Sequence, residues 1–124
     1  MNLKGSNVLV TGAGTGIGEA IAVAMADAGA DVIAADIDVA AASKTADTVT
    51  AKSVRGFAVQ ADCGDVTSIN AMVDTTVAKF GKLDVIINNA GVTRSAFIMD
   101  LTEEDWDRIH RVNAKGVFFC LQRA

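Results

Sequence analysis

Residues 8–20, VLVTGAGTGIGEA, decide the fold: an apolar run stops at a glycine-rich turn and restarts as a helix. Val8, Leu9 and Val10 show no polar alternation, which predicts a parallel strand buried on both faces. Gly12, Gly14, Gly16 and Gly18 let the backbone turn sharply and remove side chains that would block a close ligand. One or two glycines would close such a turn, so four argue for a guest. Ile17, Ala20, Ile21, Ala24, Met25 and Ala28 recur at helical spacing, and the helix therefore starts with unpaired N–H groups at the glycine loop. That arrangement attracts anions, and a pyrophosphate is the usual guest.

The rest of the chain bounds what this turn serves. A chain of 124 residues, 51% of them hydrophobic, buries about two-thirds of its unfolded surface, enough for one domain. Net charge is -4 with the basic residues scattered, which argues against a nucleic-acid face or an anionic membrane surface. No apolar stretch reaches the length of a membrane span, and residues 1–5 lack the apolar centre of a signal peptide, so a cytoplasmic location is expected. Cys63 and Cys120 belong to no C-x-x-C pattern, and His110, the only histidine, has no second ligand at helical spacing. No metal is expected, and two buried free thiols are preferred to a disulfide. Proline and tyrosine are absent from the chain.

Strand and helix signals then alternate. Residues 31–36, DVIAAD, form a second apolar strand, reached through Gly29 as the left-handed residue ending the first helix. Asp38 caps a second helix over 39–52, and 55–62, RGFAVQAD, is the third strand. Asp65 or Thr67 caps a third helix with an apolar stripe at Ile69, Met72, Val73, Thr76, Val77 and Phe80, which Gly81 ends. A fourth strand over 83–87 leads into Asn88 to Gly91 and a loop over 92–101. Thr102 and Asp105 have capping-box spacing, and Trp106, Ile109, Val112, Val117 and Phe118 give a last helix its apolar face. Such alternation demands parallel strands with right-handed crossovers.

Three motifs carry a resemblance. Thr11-Gly12-x-x-x-Gly16-x-Gly18 resembles the TGxxxGxG turn of the short-chain dehydrogenase/reductase family, Asn88-Asn89-Ala90-Gly91 its NNAG motif, and Asn113 the asparagine of its Asn-Ser-Tyr-Lys tetrad. The resemblance implies an α/β fold, a Rossmann-type doubly wound parallel sheet. It is partial here, with four strands in the order 3-2-1-4 alternating with four helices. Residues 1–124 are then one NAD(P)-binding domain, C-terminally incomplete, because the serine strand and Tyr-x-x-x-Lys are missing.

Cofactor-binding residues implied by the family pattern are Gly12, Thr15, Gly16, Ile17 and Gly18 in the turn, with Asp36 and Ile37 after the second strand. Asp62 and Cys63 follow the third strand, and Asn89, Ala90 and Gly91 the fourth. Asn113 is the implied catalytic residue, and a mid-helix asparagine followed by Gly116 suits a helix distorted for a purpose. Asp36 stands 18 positions after Gly18, near the spacing at which a second-strand acid accepts both adenosine ribose hydroxyls. The same carboxylate repels a 2′-phosphate, and Thr15 supplies no compensating cation, so NAD is expected over NADP. An ordinary capping or solvated acid would read alike at Asp36, and an ordinary loop acid at Asp62.

The family expectation is thus the NAD-binding N-terminal part of an enzyme moving hydride between nicotinamide and a small alcohol or carbonyl. The alternative is a stand-alone nucleotide-binding or regulatory module without catalysis. Sequence continuing past Ala124 into a serine strand and Tyr-x-x-x-Lys favours the first, a stop codon the second. In the family the fourth helix packs against another subunit, so Trp106 and residues 118–121 are expected in a homo-oligomer interface. Arg94 and Phe97 either border the substrate or belong to a loop surface.

Overall fold

The computed structural model describes residues 1–124. Strands β1 (Asn7–Thr11), β2 (Asp31–Asp36), β3 (Gly56–Gln60) and β4 (Val85–Ile87) form one parallel sheet in the order β3-β2-β1-β4. The expected topology is observed. Helices α1 (Gly16–Asp27), α2 (Val39–Thr50) and α3 (Val66–Phe80) follow the first three strands. The fourth helix comes in three lengths, α4 (Glu103–His110), a π-helical segment (Arg111–Gly116) and α5 (Val117–Arg123).

Alternation along the two central strands makes a core on each face of the sheet. Val8, Val10, Val32 and Ala34 pack with Ala22 and Ala26 of α1 and Val49 of α2. Leu9, Ile33 and Ala35 pack with Ile69, Met72 and Val73 of α3 and Cys120 of α5. All four residues 8, 9, 32 and 33 are fully buried, which is why both strands read as unbroken apolar runs. At the opposite end of the sheet from the glycine turn, the Asn7 N–H donates to Asp84 Oδ2 at 2.8 Å, and Lys82 Nζ lies 2.9 Å from Oδ1. The Asn7 N–H first, then Lys82, holds the Asp84 carboxyl below its usual range.

Local signals set the helix starts as expected, although α2 ends at Thr50 and not at residue 52. Asp38 accepts from the Ala41 N–H, Asp65 rather than Thr67 caps α3, and Thr102 and Asp105 close a reciprocal capping box on α4. Gly29 at φ +94° and Gly81 at φ +83° take the left-handed conformation.

Four expectations need correction. The buried seam of α1 is Gly18, Ala22 and Ala26, with Ile21 and Met25 packed beside it as the spacing suggests, while Ala20 and Ala24 are exposed and Ile17 is 75% exposed. Close approach of α1 to the end of β1 sets that seam, and the apolar count alone misplaces it. β3 and β4 are shorter than 55–62 and 83–87, since only the paired residues are extended. The loop over 92–101 contains a 3₁₀ turn, Ile98–Asp100. Within 118–121, Phe118 and Leu121 face outward, but Cys120 is buried and Phe119 half-buried against the α3 face of the sheet.

β4 pairs only with β1, so its other edge is unpaired, and Phe97, Ile98 and Met99 are each more than four-fifths exposed. An open apolar edge of this kind templates association. The chain is therefore expected to self-associate in sedimentation runs at micromolar concentration. A monodisperse monomer with a cooperative melt would contradict this.

Candidate functional site

The carboxyl ends of the strands open onto a cavity of about 530 Å³, bounded by the glycine turn, the ends of β2 and β3, the segment after β4, and the π-helical segment. Thr15 precedes α1 and makes no side-chain cap, so the first-turn N–H groups at Gly16, Ile17 and Gly18 lack intrahelical partners and remain available to a ligand. The turn is cradled from beneath. Thr45 of α2 donates to the Ala13 carbonyl at 2.9 Å, and the Gly14 N–H donates to Asp36 Oδ2 at 2.8 Å. Asp36 Oδ1 also accepts from the Asp38 N–H at 3.0 Å, so the carboxylate is oriented by two backbone donors at the cavity wall.

At Gly18 and at Gly12 an added side chain has no room. A Cβ at Gly18 would overlap the Gly12 carbonyl, and one at Gly12 would stand 2.9 Å from Asn89 Nδ2 and 3.0 Å from Ala90 Cα. Both would fill the cradle that brings α1 onto β1.

Of the two asparagines after β4, Asn89 does the tying. Its Nδ2 donates to the Thr11 carbonyl at 3.0 Å and the Gly12 carbonyl at 3.2 Å. The Thr11 hydroxyl accepts from the Asn89 and Ala90 N–H groups, both at 3.1 Å, and donates to the Ile87 carbonyl. The turn after β1 and the segment after β4 are thereby one rigid unit, with Ala90 and Gly91 at the cavity wall.

All of Gly12, Thr15, Gly16, Ile17, Gly18, Asp36, Ile37, Asp62, Cys63, Asn89, Ala90 and Gly91 line this one cavity. Ile17 and Ile37 are 75% and 63% exposed, so two large apolar side chains sit at its mouth. Asp62 Oδ1 accepts from the Gly64 N–H at 2.8 Å, an Asx-type turn that fixes the end of β3. Burial and the adjacent Cys120 sulfur, the latter first, push the Cys63 thiol up.

Asn113 stands apart from the lining. Its Oδ1 accepts from the Val92 N–H and its Nδ2 donates to the Val92 carbonyl, both at 2.8 Å. The amide thus pairs with backbone as a strand would, and it does so from within the π-helical segment, where the helix is wound for a local purpose. Asp105 fastens the same loop, accepting from the Thr102 N–H and from Arg94 at 2.9 Å. Those contacts, the Thr102 N–H first, lower its carboxyl below the usual range. Arg94 thus clamps the loop to the helix, and Phe97 is 83% exposed on the same loop.

Ala61, Val92, Arg108, Arg111 and Val112 also line the cavity and were not expected there. Positions 108, 111 and 112 share a helix face, so projecting the last helix toward Asn113 would have found them. Arg108 and Arg111 are the cavity's only cations, and neither pairs with a carboxylate.

Residues 6–124 match the family model described as short chain dehydrogenase. Among solved structures, a short chain dehydrogenase from Burkholderia cenocepacia J2315 in complex with NADP superposes with TM-score 0.96 at 38% identity, covering 100% of this chain and 51% of that one. A short chain dehydrogenase/reductase from Burkholderia phymatum in complex with NAD gives TM-score 0.93 at 31% identity, covering 99% and 44%. A curated relative, the 3-oxoacyl-(acyl-carrier-protein) reductase FabG of Staphylococcus aureus, is 42% identical over 83 residues, 67% of this chain and 34% of that protein. The chain thus spans about half the length of the solved relatives and aligns to a third of the curated one. No helix is long and apolar enough to cross a membrane.

Proposed function

The chain belongs to the short-chain dehydrogenase family, and from that membership we propose that residues 1–124 are the dinucleotide-binding, N-terminal part of a hydride-transferring oxidoreductase, with NAD preferred over NADP. The observation that carries this reading is the pairing of the helix-start N–H groups over the glycine turn with the Asp36 carboxylate beside it. The turn suits a pyrophosphate, and the carboxylate suits a ribose with both hydroxyls free.

Each part of the cavity has a counterpart in such a guest. Gly12, Thr15, Gly16 and Gly18 would hold the phosphates, while Asp36 would accept from the ribose hydroxyls. Ile17 and Ile37 offer apolar walls, and Asp62 with Cys63, also in the lining, would serve the adenine edge. Asn89, Ala90 and Gly91 keep the far wall rigid and small. Bound nicotinamide would supply the hydride acceptor or donor for a small alcohol or carbonyl. Asn113 would act as a positioning residue, holding Val92 and the loop beyond it.

Related proteins are found with either NAD or NADP, so the preference rests on Asp36. Calorimetric titration is expected to give NAD at least about tenfold tighter binding than NADP, about 1.4 kcal/mol. Asp36→Ala should erase that ratio. Equal affinities in the parent chain, or an unchanged ratio in the variant, would remove Asp36 from the cofactor site.

A cytoplasmic, homo-oligomeric intact protein fits the same reading. Trp106, Phe118 and Leu121 are 64%, 59% and 59% exposed on the fourth helix, an apolar face suited to another subunit. A second reading, a nucleotide-binding module without chemistry, is favoured by one observation: no tyrosine, lysine or histidine lines the cavity.

A further inference from the structure

At the cavity wall, the segment after β3 and the fourth helix meet where Gly116 faces the Cys63 carbonyl. A Cβ on Gly116 would overlap that oxygen, so only glycine lets the two backbones come this near. One helical turn later, on the same buried face, stands Cys120, 1% exposed among Leu9, Ala35 and Ala61. Cys63 is half-buried and forms part of the cavity wall. With the Cys63 carbonyl against Gly116 and Cys120 one turn further along the same face, the two cysteines are neighbours, and each perturbs the other's thiol. The chain's two cysteines, remote in sequence, therefore share one site.

We propose that Cys63 and Cys120 are a disulfide-forming pair, which a small-molecule disulfide oxidises to an intramolecular bridge at the cavity wall. Cys63, the accessible member, attacks the small disulfide; its new S–S bond forms as the old one breaks, and one thiol leaves with the Cys63 proton. Cys120 then attacks the Cys63 sulfur of this mixed disulfide. The bridge forms, the second small thiol leaves with the Cys120 proton, and two protein thiols have been oxidised while one small disulfide is reduced. The bridge ties the segment carrying Asp62 to the helix carrying Asn113, so it joins two walls of the cavity covalently. The Cys120 sulfur first, then burial, raises the Cys63 thiol, so attack by Cys63 quickens in alkali.

The test is a redox titration of the full chain against reduced and oxidised glutathione, followed by acid quenching, intact mass measurement and peptide mapping. A species lighter by two hydrogens with a Cys63–Cys120 link is expected within single chains. The pair's effective concentration should be at least ~10-fold higher in the folded chain than in urea, since folding holds the thiols together. Cys120→Ser should stop at a glutathione adduct on Cys63. An effective concentration no higher than in urea, a bridge between chains, or a stable glutathione adduct on Cys63 of the parent chain would each overturn the proposal. The parent-chain measurement decides even if Cys120→Ser does not fold.

Discussion

Purified chain is expected to consume no NADH above background when offered small ketones, aldehydes and quinones. Moving hydride to a carbonyl carbon leaves charge on the oxygen, and a proton must reach that oxygen as the charge develops. The family resemblance supplies that proton from a tyrosine paired with a lysine, and the chain has no tyrosine. Among the cavity residues the titratable groups are Asp36, Asp62, Cys63, Arg108 and Arg111. None of these is a suitable acid: the carboxyls have backbone partners, the guanidinium groups do not give up protons, and Cys63 faces Cys120.

His110 is the remaining candidate, and its geometry disfavours it. Its ring stacks on Trp106 at 4.0 Å, its Nδ1 lies 2.9 Å from the Trp106 carbonyl, and the residue is exposed outside the cavity lining. Loss of general acid help alone costs about 10²- to 10⁴-fold. The measurement is the decay of NADH absorbance, with His110→Ala as control. Steady turnover that disappears in the control would make His110 catalytic.

Gly18→Ala is expected to weaken NAD binding by at least about 100-fold, or 2.7 kcal/mol. The added methyl would overlap the Gly12 carbonyl and crowd Asn89 Nδ2, so α1 must move away from the end of β1. That shift displaces the N–H groups at the helix start and strains the Asn89 contacts to Thr11 and Gly12 together. Overpacking of this kind costs stability too, about 1–3 kcal/mol. Circular dichroism melts separate the two effects, since binding is compared only at temperatures where the variant remains folded. A folded Gly18→Ala chain with parental affinity would show that α1 need not sit this close for binding.

How the chain folds was largely legible because the deciding interactions are local. Val8 to Val10 and Val32 to Ala35 read as buried parallel strands since both of their faces are covered. Asp38, Asp65 and the Thr102–Asp105 pair announce helix starts because each bonds an N–H only two or three residues away. The glycine spacing over 12–18 marks a turn with room above it for the same reason. Local signals thus give the strands, the helix starts and one wall of the cavity, while the strand order comes from the family resemblance.

What lies across elements was decided by tertiary packing. Gly18 meeting Gly12, not the apolar count, rotates α1 so that Ile17 faces the cavity mouth. Asn89 and not Asn88 ties the two strand ends, because only its side chain lies over the Thr11 and Gly12 carbonyls. Asn113 turns to Val92, and Arg108 and Arg111 come to the cavity rim, once the fourth helix is wound as a π segment over 111–116. Cys63 reaches Cys120 because Gly116 lets the helix settle on the segment after β3. Local hydrogen bonds and periodicity are written in neighbouring residues, whereas contacts between residues dozens of positions apart follow from backbone approach distances that only the packed sheet and helices fix.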